Sequence, residues 1–511
     1  MTDCSTNDKG SVRQRQERVN KNARSSVHLL LFLPLALTAC GSRVPQQPQQ
    51  ELTLRIGVGE AASANAPAGL RQVVQNLSVE GLARIAENGR PEPRLAEKWT
   101  VTPDGLSIVV QLRPAVKFHD GSLVTADAVA RTLREQLPPF MGPAYEDIDE
   151  IQAPNEHEIV IKFRQASPFL LEALEVPVRK PGANVGTGPF VPVPSESTIE
   201  LRANDDYYLG PPSIRRVVVA NYPSLRSAWA DLLRDRIDML YEVGPDAMDS
   251  LSGSKSVSIA SFTRPYQYVI AFNLSSPNLR SAAIRRALNA AVDRDALVRE
   301  GLQGRGSPSA GPIWPQHWAF STDLPKFQFA PMEAAEQLGE SKSARGSIRL
   351  RFTCLVPGQY ERLALVLKRQ LELVGVDMQI VEVSPDSIFE ALNTSSFEAV
   401  FLDMVSGPSF FRIYEWWHSG GSLNLGALGS APIDAELDRV RHAASDDAYR
   451  QAIASFQRAI VNDPPAIFLA WSERARAVNR RFDVAAEPGR DILTTLRLWR
   501  PTTDLQYVGR N

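Results

Sequence analysis

The chain has 511 residues, of which 43% are apolar and 22% charged, and its formal net charge is −2. That length asks for two or three compact units, and both fractions are ordinary for a globular protein. No basic excess offers a surface to nucleic acid, and no acidic run marks a disordered tail.

The first forty residues read as a unit of their own. Lys9, Arg13, Arg15, Arg18, Lys21 and Arg24 precede the apolar run Leu29 to Leu37, which Pro34 interrupts. The run is shorter than the roughly 20 residues that cross a bilayer, so residues 1–39 are predicted to be a signal peptide. Leu37-Thr38-Ala39-Cys40 resembles the lipobox of bacterial lipoproteins. The resemblance implies lipid transfer to the Cys40 thiol, cleavage before it, and anchoring to a membrane at the periplasm or cell surface. Residues 40–50 are rich in Gln and Pro and read as a flexible tether. Of three cysteines, Cys4 falls in the removed segment and Cys40 carries lipid, which leaves Cys354 alone and no disulfide framework.

Beyond the tether, helices and strands alternate in mixed order. Leu52 to Val58 reads as a first strand and Leu106 to Leu112 as another, entered by the turn pair Asp104-Gly105. Thr125 is placed as an N-cap, and Val129, Leu133 and Leu137 give the following helix one apolar face. Strands are expected at Glu158–Phe163, Arg215–Ala220, Ile237–Tyr241 and Tyr266–Asn273, with a helix over Ser224–Arg236. Ser281 opens a patterned helix in which Ile284, Leu288, Ala291 and Val292 share a face while Arg285, Arg286 and Asn289 point to solvent. Pro331 and Gly339 bracket a short helix. The helix Glu361–Val374 closes on Gly375 and runs into the strand Val376–Ile380, which suggests a crossover unit and a partly parallel sheet. A buried strand follows at Glu398–Met404, then helices near Asp434–Ala444 and Asp447–Val461, a strand at Ala466–Ala470 and a last strand near Leu493–Trp499.

Several segments, in a fixed order, resemble the ABC-transporter solute-binding protein family that includes dipeptide, oligopeptide and nickel binders, the family 5 extracytoplasmic solute-binding proteins. They are Leu95-Ala96-Glu97-Lys98-Trp99, then Pro103-Asp104-Gly105-Leu106, and Val116 to Gly121 with Thr125 to Val129. Gly186-Thr187-Gly188-Pro189-Phe190, Asn204 to Tyr208, Ala271-Phe272-Asn273, Ile284 to Arg294, Leu371 to Val376 and Asp463 to Leu469 follow. The resemblance implies an α/β, two-lobe periplasmic-binding-protein fold with mixed sheets and a ligand cleft between lobes joined by two crossing segments. The larger lobe would hold residues 51–268 and the C-terminal return 472–511, the smaller lobe 269–471. Closure would hinge near Tyr268–Phe272 and Ala470–Ser472. On this arrangement the ligand-binding residues are Glu60, Tyr266, Tyr268, Asn273, Asp403, Met404, Trp416, Trp417 and Trp471.

Other motifs have plainer readings. Phe118-His119-Asp120-Gly121 offers turn chemistry rather than a metal or catalytic site. Gly186 to Phe190 lacks the Lys-Ser/Thr and following helix of a phosphate loop and reads as a tight turn between strands. Trp416 and Trp417 are helical neighbours about 100° apart, so they cannot both face one core, and one is free to line the cleft or to pack between helices. Trp471 sits where the second crossing is expected. In peptide-binding relatives an acid and an Asp-Pro pair follow the strand that corresponds to Ala399–Met404, and that acid holds the ligand's ammonium. Here Gly407-Pro408 replaces Asp-Pro, and Asp403 lies close to the expected acid without aligning cleanly. A buried amine without a carboxylate would be costly, so either Asp403 is the anchor or the ligand is not a peptide.

No nucleophile elbow, zinc-ligand histidine pair or triad stands out, so no enzyme, cofactor or metal centre is expected. The expected function is capture of a peptide or similar small organic solute and its delivery by a monomer to an ABC permease. A nickel or other non-peptide ligand is the alternative within that class. A lipoprotein used for sensing or chaperoning, without a dedicated permease, is the alternative outside it.

Overall fold

The computed structural model describes residues 51–59, 66–194, 199–344, 349–425 and 428–503. The signal peptide, the tether, Cys40 and Glu60 therefore lie outside the described residues. Among the described residues the main sheet has eleven strands. From one edge they run Asp377–Val383, Arg351–Pro357, Ala399–Val405, Val257–Phe272, Ala466–Asn479, Met239–Leu240, Thr53–Gly59, Arg216–Tyr222, Ile199–Ala203 and Phe190–Val193, with Gly306–Pro308 also paired to Ala466–Asn479.

Two long strands tie this sheet together. Val257–Phe272 and Ala466–Asn479 run antiparallel from Val257↔Asn479 to Ala271↔Ala466. Their register slips between Thr263 and Gln267 and again between Tyr268 and Val269. Across and beyond these slips Tyr266–Phe272 pairs with Ala399–Val405, and before them Ala477 and Val478 pair with Met239–Leu240. Sequence explains the difference in exposure. Ala466 to Trp471 is a continuous apolar run and is buried throughout, as expected of a strand covered on both faces. Ser107–Leu112 alternates instead, one face in the core and one towards water.

That alternating strand belongs to a separate antiparallel sheet, Ala96–Val101, Ser107–Leu112, Glu158–Phe163 and Ile148–Asn155. The helix Ala126–Met141 covers its inner face with Val129, Leu133 and Leu137, and Thr125 caps it by accepting from Ala128 N at 3.3 Å. The crossover unit is present: Arg351–Pro357, the helix Glu361–Leu373 and Asp377–Val383 form a parallel pair across the helix, with Gly375 at φ 80° turning the chain. No helix among the described residues is long and apolar enough to cross a membrane.

Three expectations need correction. Arg285 and Asn289 are buried rather than solvated. Arg285 donates to Pro464 O at 2.8 Å and Leu279 O at 2.7 Å and pairs with Asp463, while Asn289 donates to Ala466 O at 2.9 Å. Arg294 adds a bond to Phe468 O at 2.6 Å. The helix Ala282–Ala290 lies along a strand edge with no neighbouring strand at that point, and its polar residues satisfy the orphan carbonyls there. Leu493–Trp499 is not a strand but lies mostly within the 3-10 turn Ile492–Leu498. Asp491 accepts from Leu493 N at 3.1 Å, and Thr494 and Thr495 bond back to the carbonyls of Asp491 and Ile492, so local side-chain bonds win over extension. Gly186 to Phe190 is not a tight turn: a Cβ at Gly188 would lie 2.6 Å from the carbonyl carbon of Ser78, so glycine serves a close backbone approach.

Candidate functional site

The slips in the two long strands bring together the candidate site. Upstream of the Tyr268/Val269 slip, Arg264, Tyr266 and Tyr268 are spaced by two, and Tyr268 pairs with Asp403. Phe401 lies two residues before Asp403 on the same face. Tyr360, at the start of the helix Glu361–Leu373, stacks on Phe401 with ring centroids 4.7 Å apart and donates its hydroxyl to Asp403 Oδ2 at 3.0 Å. Tyr268 packs 5.5 Å from Tyr360 and 6.0 Å from Phe401. Arg264 Nη1 reaches the same carboxylate oxygen at 3.3 Å, its guanidinium 3.9 Å from the Tyr266 ring centroid.

Asp403 Oδ1 is buried and has no hydrogen-bond partner among the described residues. A buried acceptor in that state is costly unless water or a ligand completes it. Burial, and then the Asp403 charge, push the Tyr360 phenol above its ordinary range, so it stays a donor. Arg474 stands near, 3.3 Å from Glu242. Burial opposes its charge, but the carboxylates of Glu242 and Asp403 hold it as a cation.

The opposite face of the same crossing is uncharged. Gln267 pairs with Met404 on one side and Trp471 on the other, and all three are buried. Gln267 Nε2 donates to Ser309 Oγ at 2.5 Å and Gly311 O at 2.8 Å. Trp471 meets Trp314 edge-on at 4.9 Å, and Trp314 Nε1 donates to Glu87 O at 2.8 Å. Gln267 Oε1, Trp471 Nε1, Ser406 Oγ and Ser472 Oγ are buried without partners among the described residues.

The crossing thus gathers Tyr266, Tyr268, Asp403, Met404 and Trp471 of the sequence-derived candidates. It does not gather the others. Asn273 lies beyond the far end of the pairing, where Nδ2 holds the carbonyls of Ser395 at 3.1 Å and Phe397 at 2.9 Å. Trp417 is wholly buried against Phe468, 5.5 Å between centroids, and Trp416 is half-buried on the same core. Sequence reading missed Arg264, Gln267, Trp314, Tyr360 and Arg474. Alternation from Tyr266 and Tyr268 was signal enough for Arg264, but the others carry no motif. His119 bonds Gly188 O at 2.9 Å and Gly121 has φ 83°, as a turn requires. Among the described residues no group of three His, Cys, Asp or Glu is placed to hold a metal ion.

A second contact joins the four-stranded sheet region to residues 314–318 and 409–449. Glu172 accepts from Ser409 Oγ at 2.5 Å, Phe411 N at 2.8 Å and Tyr449 OH at 3.2 Å. Burial outweighs these donors and pushes its carboxyl up to about 7. Arg441 meets Asp147 at 2.8 and 2.9 Å, and Arg90 meets Asp446 at 3.0 and 2.5 Å.

Comparison with known proteins places this geometry in context. Residues 90–423 match the model of bacterial extracellular solute-binding proteins, family 5. The oligopeptide-binding protein AppA of Bacillus subtilis (strain 168) is 24% identical over 94% of this chain and 99% of its own. The solved structure of AppA from Bacillus subtilis with a nonapeptide superposes with a TM-score of 0.72 at 21% identity, over 88% of this chain and 99% of that one. NikZ from Campylobacter jejuni in complex with Ni(L-His) superposes with a TM-score of 0.73 at 22% identity, again over 88% and 99%.

Proposed function

The chain belongs to family 5 of the bacterial extracellular solute-binding proteins, which serve ABC importers, and on that premise we propose that it captures a peptide or similar small organic molecule at the strand crossing and releases it unchanged to a permease. In this reading residues 51–268 with 472–511 form one lobe and 269–471 the other. The lobes close about the crossing strands, and Cys40 carries the lipid that keeps the protein at the membrane. The protein acts as a monomer. Asp403 is the ligand's principal acceptor, flanked by Tyr266 and Tyr268, with Met404 and Trp471 on the other face.

One observation carries the assignment of the site: Asp403 Oδ1 is a buried acceptor without a partner among the described residues, set among Tyr268, Tyr360 and Arg264. That oxygen presents one free acceptor to a ligand donor such as an amide N–H. Because Arg264 already pairs with Asp403, the site favours a neutral donor over a full positive charge.

Native mass spectrometry of gently purified protein, repeated after denaturation, tests the reading. A peptide or set of peptides released on denaturation is the expected result. Release of a chemically altered product from an added peptide would overturn the non-catalytic reading, and a metal complex would overturn the ligand class. The lipid is tested separately, by loss of fatty-acid incorporation in Cys40→Ala.

A further inference from the structure

A cavity of about 230 Å3, whose lining includes no residue of the strand crossing, lies between the four-stranded sheet region and the turn that joins the helices Ala431–Arg441 and Asp446–Asn462. Val101, Ile108, Phe163, Leu171 and Trp318 supply apolar wall. Trp318 is held flat: it stacks on Tyr449 with centroids 5.1 Å apart at 13°, and the Arg90 guanidinium sits 3.4 Å over its ring. Arg90 is at the same time paired with Asp446, so the rim carries no free charge from that pair. Inside, Ser167 is only 6% exposed and lines the cavity. Its Oγ has no hydrogen-bond partner among the described residues. Glu172, also in the wall, accepts from Ser409, Phe411 and Tyr449.

We propose that this cavity is a second ligand site, for an uncharged single-ring aromatic molecule with one hydroxyl or amide group, distinct from the solute site at the crossing. An engineered apolar cavity of roughly 150 Å3 holds benzene, so the volume here suits a substituted ring. The apolar wall provides contact area, and the free Ser167 hydroxyl fixes one polar substituent. A charged substituent is disfavoured, because Arg90 and Asp446 neutralise each other and the Glu172 oxygens already accept from Ser409, Phe411 and Tyr449. The walls come from residues 89–172 on one side and 318–449 on the other, so an occupant stabilises the contact between these segments by mass action.

The test is a titration of the full chain with p-cresol, read by ligand-observed NMR and by the unfolding midpoint. Saturable one-to-one binding with a raised midpoint is expected, with p-methylbenzoate and p-methylbenzylamine at least about tenfold weaker, as the cost of burying an unpaired charge requires. Ala166→Trp fills the cavity and is expected to abolish p-cresol binding. Ser167→Ala removes one hydrogen bond and is expected to weaken p-cresol about fivefold while leaving toluene unchanged. This pair decides the matter even if Ala166→Trp fails to fold. Unsaturable binding, equal binding of the charged analogues, or equal loss of p-cresol and toluene in Ser167→Ala would each overturn the proposal.

Discussion

Glu172 makes the contact between the sheet region and residues 409–449 sensitive to pH. Its carboxyl is buried, and burial moves it from 4.5 up to about 7 despite donors from Ser409, Phe411 and Tyr449. The folded protein therefore binds a proton that the unfolded chain releases over that window. The stabilisation is complete below about 4.5 and is lost as pH rises through about 7. At about 1.4 kcal/mol per pH unit the full effect is about 3 kcal/mol, and some 2 kcal/mol of it disappears between about pH 5.5 and 8. Replacing Glu172 with Gln keeps an oxygen for Ser409 and Phe411 N and offers Tyr449 an amide donor that its hydroxyl can accept. The groups around it also titrate: Glu175 and Glu415 are likewise raised by burial, and both face Arg412. The informative quantity is therefore the difference between parent and variant, not either curve alone. Urea unfolding at the two pH values is expected to show Glu172→Gln gaining on the parent by about 2 kcal/mol at the higher pH. An equal difference at both values would refute the argument that burial outweighs the three donors.

Arg285→Leu strips donors from Pro464 O and Leu279 O and leaves Asp463 without its partner, so a loss of about 3 kcal/mol in urea unfolding is expected. A change below about 0.5 kcal/mol, the size of an ordinary surface substitution, would return this residue to the solvated face. Thr125→Ala removes an N-cap and is expected to cost about 1 kcal/mol, checked in the same assay. Asp403→Asn is expected to weaken the native ligand about ten- to a hundredfold by calorimetry, the range of a hydrogen bond to a charged group. Unchanged affinity sinks the anchor role. Acetylating the amino terminus of a bound peptide is expected to alter its affinity by less than about threefold, because Arg264 already balances Asp403. A hundredfold loss would show that the carboxylate is reserved for an ammonium group.

The elements that could be read from sequence are those whose determinants are local. The helix Glu361–Leu373 and its strand Asp377–Val383 are announced by apolar spacing and by Gly375 at the join. Arg285 and Asn289 defeated the same reasoning. A helical projection assigns polar residues to water, and it cannot know that the edge at Pro464, Ala466 and Phe468 lacks a strand. Asp403 was visible as a carboxylate at a strand end, but its surroundings were not. Tyr360 comes from 43 residues earlier and Arg264 from 139, and only the fold sets them against one oxygen. Trp417 shows the converse: an adjacent aromatic pair invited a cleft role, yet this indole packs on Phe468 in the core.

On the proposed function, the register slips give a physical reason for the position of the site. A regular antiparallel ladder pairs every backbone group and leaves nothing to offer a ligand. Between Thr263 and Gln267 the ladder of the two long strands breaks, and side chains take over: Gln267 turns to Ser309 and Gly311, and Arg264 turns to Asp403. Asp403 Oδ1 on one face and Gln267 Oε1 and Trp471 Nε1 on the other stay buried without partners among the described residues. Each is costly while unpaired. In the proposed site a ligand donor that reaches Asp403 Oδ1 relieves that cost, on the carboxylate whose other oxygen Arg264 and Tyr360 already meet.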